Sequence, residues 1–256
     1  MDLLNVLQLV KQGGLSPEEA ALRLRFSPFE ELLDGVNLDL HRELRTGQGE
    51  CVLARGKSPD RLLAAMRGLA GEEGTRPVLA TRVSSRQGAM LSTEFPQGEW
   101  SREAGLFTLN RPLGLVPPWP RTGELMIVTA GASDMRVGLE ALGTARFYGL
   151  KAGLAPDIGV AGLHRLAAWL EAFAQAKVLM VIAGMEGALP SVIAGLTSKP
   201  VLAVPASVGY GVSAGGFAAL AGMLSSCASG VSVFNIDNGY GAAVFASRLL
   251  NSVRPA

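Results

Sequence analysis

The fold is decided by one uncharged stretch, residues 200–236, which reads PVLAVPASVGYGVSAGGFAALAGMLSSCASGVSVFNI. The short apolar run 201–204 before a proline predicts a buried strand, and the apolar run 231–236 predicts a second one. The small residues between them predict a helix over Phe217–Leu224. The stretch therefore predicts a βαβ unit with polar loops, whose uncharged helix is covered by its own sheet or by another subunit.

The same stretch is apolar enough to raise the question of a membrane span. A spanning helix needs about 20 continuous apolar residues. Here the run is interrupted by one proline and by glycines, and a lipid-exposed backbone does not tolerate so many breaks. The interrupting residues are Pro205, Gly209, Gly211, Gly215, Gly216 and Gly222. We expect no membrane span and no membrane partner.

Composition narrows the class of protein further. The chain has 256 residues, 48% hydrophobic and 18% charged, which fits one large or two small globular domains. A formal net charge of +1 gives no reason to expect a nucleic-acid partner. The first residues lack the features of a signal peptide, and two cysteines cannot form a disulfide framework. We therefore expect a cytoplasmic protein with reduced thiols.

Two domains are predicted from the changing pattern along the chain. Residues 1–120 combine charged helices with a few short strands, which predicts a smaller α+β domain. Periodicity is weak over 87–120, and four prolines near its end predict an extended linker. We place the boundary near Arg121, so that residues 121–256 form the second domain.

In the second domain, strands and helices alternate. This order predicts an α/β fold: a three-layer αβα sandwich with a parallel, flavodoxin-like sheet. The predicted strands are 124–129, 151–155, 178–182, 201–204 and 231–236; the predicted helices are 136–148, 166–174, 189–196, 217–224 and 242–250. Ligands of such sheets bind outside the carboxyl ends of the strands. The polar residues expected at that edge are Ser133, Asp134, His164, Glu186, residues 207–213, Asp237 and Asn238.

Several of these residues have both a chemical and a structural interpretation. Ser133 and Asp134 lie in a strand-to-helix turn, which suits a phosphate or carboxylate but also a helix cap. Asp134 itself is better suited to ribose hydroxyls or a metal ion. Glu186 is a candidate general base or a Mg²⁺ ligand at a phosphoanhydride, or simply a charge favoured by a helix N-terminus.

Each of the remaining polar positions allows several interpretations. His164 suits a phosphate contact, help with hydrolysis or a plain hydrogen bond. Ser207, Gly209, Tyr210 and Gly211 predict a flexible loop that approaches a ligand closely, whereas Asp237 and Asn238 fit either binding or a turn. The histidines and cysteines lack zinc-ligand spacing, so we expect no structural metal. Cys227 is either an inert buried cysteine or a reactive thiol.

A resemblance to a known family rests on six motifs in order: TAGASD, DIGVAGLHR, AGMEGALPSVIAGL, VPASVGYG, SSCASG and NIDNGYG, all after residue 127. They resemble the nickel-pincer cofactor biosynthesis carboxylases (the LarB family) and, more distantly, the aminoimidazole ribonucleotide carboxylase/mutase of purine synthesis. HRELRTG and GKSPDRL in the N-terminal half also resemble the first family, so that the similarity covers roughly residues 1–250.

The resemblance implies a reaction. Nicotinic acid adenine dinucleotide is carboxylated with CO₂ at C5 of its pyridinium ring, and its phosphoanhydride is hydrolysed to release AMP and pyridinium-3,5-biscarboxylic acid mononucleotide. It implies Cys227 as a covalent nucleophile, no tightly bound cofactor with Mg²⁺ left open, and a homo-oligomer with an octamer as the expected form. The implied catalytic residues are Cys227, Glu186, Asp134 and His164. The implied substrate-binding residues are Gly131, Ser133, Asp157, Gly187, Ser207, Gly209, Tyr210, Gly211, Asp237 and Asn238, together with Arg42, Arg45 and Lys57 of the N-terminal region.

Two departures from the family patterns matter. Gly49 precedes Glu50 where the carboxylase family commonly has a proline. Ala188 stands where the purine enzyme has the histidine implicated in proton transfer, which counts against the purine reaction. Two alternatives stay open from the sequence: a purine-type carboxylase or mutase, and a noncatalytic nucleotide-binding module in which Cys227 only fills space.

Overall fold

A computed structural model describes residues 3–26, 29–33, 36–40 and 42–253. The chain divides into two compact units: Met1–Trp100 with Phe107–Arg111, and Ser101–Leu106 with Pro112–Ala256. The boundary near Arg121 stays a prediction.

The first unit combines helices with two small sheets. Its helices α1–α5 are Leu3–Lys11, Pro17–Phe26, Arg42–Thr46, Pro59–Ala70 and Ser85–Glu94, and its strands β1–β6 are Phe29–Leu33, Val36–Asp39, Val52–Leu53, Val78–Thr81, Glu99–Ser101 and Leu106–Leu109. β1 and β2 pair antiparallel, and the second sheet has the order β3-β4-β6-β5. In it, β3 and β4 are parallel while β4 and β6 are antiparallel, as an α+β arrangement requires.

The sequence pattern predicted no helix or strand within 87–120, whereas the structure has most of α5 and the strands β5 and β6 there. The Ser84 hydroxyl accepts a hydrogen bond from the Gln87 N–H, and the Gln87 side chain accepts one from the Ser84 N–H. This capping box fixes the start of a helix. Leu91 of α5 is fully buried, and Phe107 of β6 is buried in the same apolar cluster. Packing therefore orders a segment that has little periodicity of its own.

The second unit is built on five parallel strands. Strands β7–β11 are Leu125–Thr129, Ala152–Ala155, Val178–Ala183, Val201–Pro205 and Val231–Val233, and helices α6–α11 are Met135–Phe147, His164–Ala167, Leu170–Gln175, Leu189–Ala194, Phe217–Leu224 and Gly239–Ser252. Every strand pair in the sheet is parallel, and the spatial order is β8-β7-β9-β10-β11. This order, 2-1-3-4-5 in chain sequence, is the flavodoxin-like one, which confirms the predicted α/β class.

The strands are apolar because both faces of the sheet are covered. Every residue of β7, β8, β9 and β10 is buried. One core cluster joins the sheet to Phe173 of α8, Ile193 of α9 and Met223 of α10, while α6 and α11 pack against each other. A continuous apolar run rather than an alternating one is what a strand buried on both faces requires.

The predicted and observed elements of the second unit differ at several boundaries. β11 ends at Val233 instead of 236, and the predicted helix 166–174 is divided into α7 and α8. Trp169 lies at the break, where the Arg121 guanidinium stacks 3.8 Å from the ring centroid and also donates to the Ala168 carbonyl. The sheet of the same chain does not cover α10 completely, because Phe217 and Leu224 are 71% and 67% exposed.

Within the described ranges, no helix is both long enough and apolar enough to cross a membrane. The longest helix of the second unit, α11, has 14 residues.

The capping box of α5 gives a direct test of the correction above. We expect Ser84→Ala to lower the free energy of unfolding by about 1 kcal/mol, because the Gln87 N–H loses its acceptor. Ser85→Ala is the matched control, since Ser85 is the exposed first residue of the helix and should change stability by less than about 0.5 kcal/mol. Urea unfolding of both variants measures the difference. Equal stability of the two variants would contradict the assigned cap.

Candidate functional site

The sheet has one position where ligand binding is favoured by topology. The chain leaves β7 toward β8 on one side and later enters β9 on the other side, so that β7 and β9 are neighbours whose connections diverge. Such a switch point opens a crevice at the carboxyl ends of the two strands. The loops there are 130–134 after β7 and 184–188 after β9.

Asp134 is the residue that the structure buries at this point. It ends the short 3-10 turn Ala132–Asp134, and only 4% of its surface is exposed. Its Oδ2 accepts a hydrogen bond of 2.8 Å from the Gly131 N–H. Its Oδ1 is buried and has no hydrogen-bond partner among the described residues. A buried carboxyl oxygen left without a protein partner is expected where a ligand or water supplies one.

The surroundings of Asp134 change its protonation. Burial, the largest cause, raises the pKa of Asp134 to about 6. The hydrogen bond from Gly131 lowers this pKa, while the nearby carboxylates of Asp237 and Asp157 raise it. Near neutral pH this carboxyl therefore exchanges readily between a hydrogen-bond donor and an acceptor, which suits proton transfer or recognition of a hydroxyl.

Asp157 approaches from the end of β8. Its backbone is left-handed, with φ of 55°, and its N–H donates to the Thr129 hydroxyl at 3.1 Å. Its carboxylate forms an ion pair of 2.8 Å with Arg165, and both side chains are partly exposed. Neither Thr129 nor Arg165 was singled out from the sequence. Thr129 is the last residue of β7, and no pattern in the sequence marks it as functional. The only sequence signal for a functional Arg165 was its position beside His164 in the motif DIGVAGLHR.

Asp237 approaches from the segment after β11. Its Oδ1 accepts a 2.8 Å hydrogen bond from the Ser207 N–H, and its own N–H donates to the Pro205 carbonyl. Asp237 therefore joins this segment to the end of β10. Asn238 beside it is the N-cap of α11 and accepts from the Gly241 N–H at 2.8 Å, so the structure gives it a capping function.

The loop after β9 places Glu186 at the surface. Met185 and Gly187 both have positive φ, and the Glu186 side chain is exposed. Close packing explains why position 187 is glycine, because a Cβ there would lie 2.6 Å from the Ala219 carbonyl oxygen. Gly222 meets the loop in the same way, with an added Cβ 2.3 Å from the Glu186 carbonyl oxygen. Helix α10 thus packs directly on this loop through small residues.

Cys227 lies outside the loops after β7 and β9, on the connection between α10 and β11. It follows the end of α10, on the segment that returns to the start of β11, and its thiol is free and exposed. The preceding Ser226 hydroxyl lies 2.7 Å from the Ser191 hydroxyl of α9 and accepts from the Ala228 N–H. This contact anchors the segment to Ser191 of α9, which lies three residues after Ala188, the last residue of the β9 loop. The alternative of a buried, space-filling cysteine does not fit this exposure.

Four other predicted site residues lie at the surface. Ser133, His164, Ser207 and Tyr210 are exposed, Tyr210 by 78%. Backbone geometry explains why two positions of this loop are glycine. A Cβ at Gly209 would lie 2.7 Å from the Ser213 carbonyl oxygen, and Gly211 has φ of 59°.

The predicted cations of the N-terminal unit divide into two kinds. Arg45 donates to both oxygens of Asp39, at 2.9 and 2.5 Å, and Arg42 lies 3.7 Å from the same carboxylate. The hydrogen bonding of the Arg45 guanidinium to the Asp39 carboxylate raises the pKa of Arg45. Lys57 has no ion-pair partner among the described residues and is half-buried. Of the three, the structure leaves Lys57 available to an anion.

A metal site is not preformed in the described part of the chain. No group of three or more His, Cys, Asp or Glu side chains is arranged there to hold an ion. Asp134, Asp157 and Asp237 interact electrostatically without forming such a group.

The fold and the switch-point carboxyl define a class, and the comparisons identify it. Residues 124–256 match the family model described as AIR carboxylase, and residues 29–111 match the model described as LarB/PurE-like N-terminal domain. The second unit is thus an AIR carboxylase domain. With both domains in this order, the chain belongs to the LarB family, as the motifs predicted.

Two relatives from Methanocaldococcus jannaschii agree with this assignment. The chain is 36% identical over 253 residues to an uncharacterized protein, covering 96% of this chain and 95% of the relative. It is also 32% identical over 84 residues to an N5-carboxyaminoimidazole ribonucleotide mutase, covering 32% of this chain and 51% of that enzyme. The first similarity spans both units, and the second is partial. A carboxylase-family function follows for the chain.

The raised pKa of Asp134 predicts a pH dependence of stability. Between pH of about 4 and 6 the unfolded carboxyl ionises first, so that the free energy of unfolding should fall with rising pH. The fall amounts to at most about 3 kcal/mol, for a shift of about two units at 1.36 kcal/mol each. Asp134→Asn should remove it, because its amide oxygen keeps the bond to Gly131 without a charge.

Urea unfolding of the wild type and of Asp134→Asn at pH 4, 6 and 7.5 measures this effect. The variant should gain stability relative to the wild type as the pH rises. Asp60→Asn is the control, because Asp60 is exposed and should give no comparable gain. A stability difference between Asp134→Asn and wild type that is constant over this range would show that the carboxyl is not buried as described.

Proposed function

We propose that the protein is a pyridinium-3,5-biscarboxylic acid mononucleotide synthase. It would carboxylate nicotinic acid adenine dinucleotide at C5 with CO₂ and hydrolyse the phosphoanhydride to release AMP. Membership of the LarB family supports a carboxylase. The observation that carries the finer proposal is the exposed, unbonded thiol of Cys227 on a segment anchored beside α9.

A thiol is the group that this substrate requires. The pyridinium ring is electron-poor, so its C5 does not attack CO₂ directly. Addition of the Cys227 thiolate to C4 forms a C–S bond and moves an electron pair to the ring nitrogen, giving a neutral dihydropyridine. This enamine is nucleophilic at C5, which then forms the new C–C bond to CO₂ and leaves an iminium.

Restoring the aromatic ring takes two further events. A base removes the proton from C5, which regenerates the enamine, and the nitrogen electron pair then expels the thiolate from C4. In this proposal Glu186 is the base, since its exposed carboxylate follows β9 at the switch point. The buried oxygen of Asp134 would hold a hydroxyl of the substrate.

The second reaction is attack of water on phosphorus. The phosphoanhydride bond breaks, one phosphate stays with the pyridinium mononucleotide and AMP leaves. His164 is exposed at the start of α7, next to Arg165, and is our candidate for assisting this step. Alternatively, Glu186 would help to hold a Mg²⁺ ion, which would neutralise charge on the diphosphate. Omission of Mg²⁺ from the assay tests this alternative.

Product analysis tests the proposed reaction. The protein is incubated with nicotinic acid adenine dinucleotide and ¹³C-bicarbonate, and the products are identified by mass spectrometry. We expect AMP and a dicarboxylated mononucleotide carrying one ¹³C atom. Conversion of aminoimidazole ribonucleotide or its N5-carboxylated form instead would favour the purine-type alternative, whose relative is similar over 84 residues. No conversion of either substrate would leave only the noncatalytic binding module.

The two cysteines provide a matched pair of variants. Cys227→Ala should lower turnover by at least about 10³-fold, because the covalent path is lost, and should leave the fold intact because the side chain is exposed. Cys51→Ala removes the other cysteine side chain, in the N-terminal unit, and should retain most activity. Carboxylation rate and circular dichroism are measured for both. Near-normal carboxylation by Cys227→Ala would refute covalent catalysis.

We also propose that the protein is a homo-oligomer through the surface of α10 and the turn before it. Val212, Phe217 and Leu224 are 94%, 71% and 67% exposed, and large exposed apolar side chains close together favour association. An AIR carboxylase domain and the uncharged helix α10 both fit an octamer as the form expected above.

Light scattering tests this association. The wild type should have a mass several times the 26.7 kDa of one chain. Phe217→Glu should lower that mass, because a charge would be buried in the contact. Leu22→Glu, at a 59% exposed position of α2, is the control and should not lower it. A monomeric wild type across a dilution series would refute the proposal.

A further inference from the structure

The connection between α10 and β11, which carries Cys227, is held in its middle by the side chain of Ser226. The Ser226 hydroxyl accepts a hydrogen bond of 3.2 Å from the Ala228 N–H and lies 2.7 Å from the hydroxyl of Ser191 on α9. A hydroxyl has one donor and two acceptor sites, so that Ser226 forms both bonds whichever serine donates to the other. The turn around Cys227 is therefore tied to a different element of the fold.

These bonds decide which side chains of the connection face inward. Ser226 and Ala228 are half-buried, whereas Cys227 between them is exposed. Because packing does not hold an exposed side chain, the direction of the thiol depends on the backbone of the turn. That backbone is held by the bond from Ala228 to Ser226, and the Ser226 hydroxyl is held in turn by Ser191.

Ser191 is a fixed partner because α9 is anchored in the core. Leu189 and Ile193, two residues to either side of Ser191, are buried. Both belong to the apolar cluster that also contains strand residues of the sheet and Met223 of α10. A polar group on a packed helix is held more closely in place than one on a loop. Ser191 therefore transmits the position of the core to the turn that carries the thiol.

A second contact joins the same two parts of the chain. An added Cβ at Gly222 of α10 would lie 2.3 Å from the carbonyl oxygen of Glu186, in the loop after β9. The chain reaches Ser191 five residues after Glu186, and it reaches Ser226 four residues after Gly222. The proposed base Glu186 and the proposed nucleophile Cys227 are thus each adjacent to a contact between these two segments.

We propose that Ser191 and Ser226 are positioning residues, which fix the Cys227 thiol relative to the loop after β9. This inference rests on the proposed covalent reaction, in which the thiolate meets C4 of a bound pyridinium ring. Attack needs reacting atoms about 3–3.5 Å apart and aligned, and a displacement of about 1 Å can lower the rate about 10²-fold. The two serines act through Cys227 and need no contact with the substrate. Neither was singled out from the sequence.

Carboxylation kinetics test this pair. In Ser191→Ala and in Ser226→Ala, kcat should fall about tenfold or more while KM changes by less than about threefold, because the contacts that bind the substrate remain. Adding Ser191→Ala to Ser226→Ala should cause no further loss, since the contact between the two is already gone. Ser225→Ala is the matched control, because it removes an exposed hydroxyl at the neighbouring position. Its kcat should equal that of the wild type.

Alkylation by iodoacetamide separates the direction of the thiol from its reactivity. It is measured in the Cys51→Ala background, so that Cys227 is the cysteine that reacts. The rate constants of Ser191→Ala and Ser226→Ala should stay within about threefold of the parent, because an exposed thiol meets a small reagent without a fixed direction. Ser226→Thr, which keeps the hydroxyl, should recover most of the kcat. A loss of kcat with an equal loss of alkylation, or no recovery in Ser226→Thr, would overturn positioning as the cause.

Hydrogen exchange tests the contact without the reaction. In Ser191→Ala the amides of residues 226–230 should exchange about tenfold faster, although the substitution lies 35 residues away from Ser226 in sequence. This change in a protein that does not carboxylate the dinucleotide would refute the proposed function and keep the positioning of Cys227. Conversely, Cys227→Ala could be inactive while Ser191→Ala and Ser226→Ala have normal kcat, which would overturn the positioning pair alone. Unchanged exchange in Ser191→Ala, or losses of kcat that add in the double variant, would also overturn it.

Discussion

Burial of the Asp134 carboxyl at the end of β7 is the interaction on which the site depends. The strand order places β7 and β9 at a switch point, and the turn after β7 brings Asp134 back onto the Gly131 N–H. Burial then raises the pKa of this carboxyl to about 6, and two more carboxylates from neighbouring connections stand close enough to raise it as well. A group that is poised between its charged and neutral forms, with one oxygen unpartnered, is costly for the fold and useful for chemistry.

The rest of the edge is arranged around this point by backbone contacts between neighbouring loops. Asp237 binds the Ser207 N–H, Asp157 binds Thr129 and Arg165, and the β9 loop packs against Ala219 and Gly222 of α10. Cys227 differs, because it lies beyond α10 and faces outward with its thiol exposed. The exposed thiol lies close in sequence to the exposed Leu224, which fits the proposal that association closes the site. The homo-oligomer and the covalent mechanism are therefore linked proposals.

Much of the second unit was predictable because both faces of its sheet are covered. Each strand from β7 to β10 is a continuous apolar run, and the glycine-rich turns mark where the runs end. Helix α5 was missed because its order comes from a capping box and from packing of Leu91 and not from periodicity. In the site, Asp134 was predicted as a polar residue at a strand end, and Asp157 was predicted only through the family motif. Arg165 and Thr129 were not, because an ion pair and a hydroxyl acceptor across separate loops leave no local pattern. Asn238 and Gly187 are motif residues that were predicted to bind substrate. In the structure, helix capping explains Asn238 and close backbone packing explains Gly187.

The most direct measurement of covalent catalysis uses NAD⁺, which has the same electrophilic C4 and the same dinucleotide arms as the proposed substrate but an amide in place of the ring carboxylate. If Cys227 attacks C4, NAD⁺ forms a reversible thioether whose dihydropyridine absorbs in the near ultraviolet, where neither the thiol nor the oxidised nucleotide does. Carboxylation should be poor, because the charge-assisted contact that orients the ring is lost, so NAD⁺ should inhibit. Difference spectra are recorded for the wild type, Cys227→Ala and Cys51→Ala at saturating NAD⁺. We expect the new band in the wild type and in Cys51→Ala and its absence in Cys227→Ala. An equal band in all three proteins, or none in the wild type, would contradict attack by Cys227.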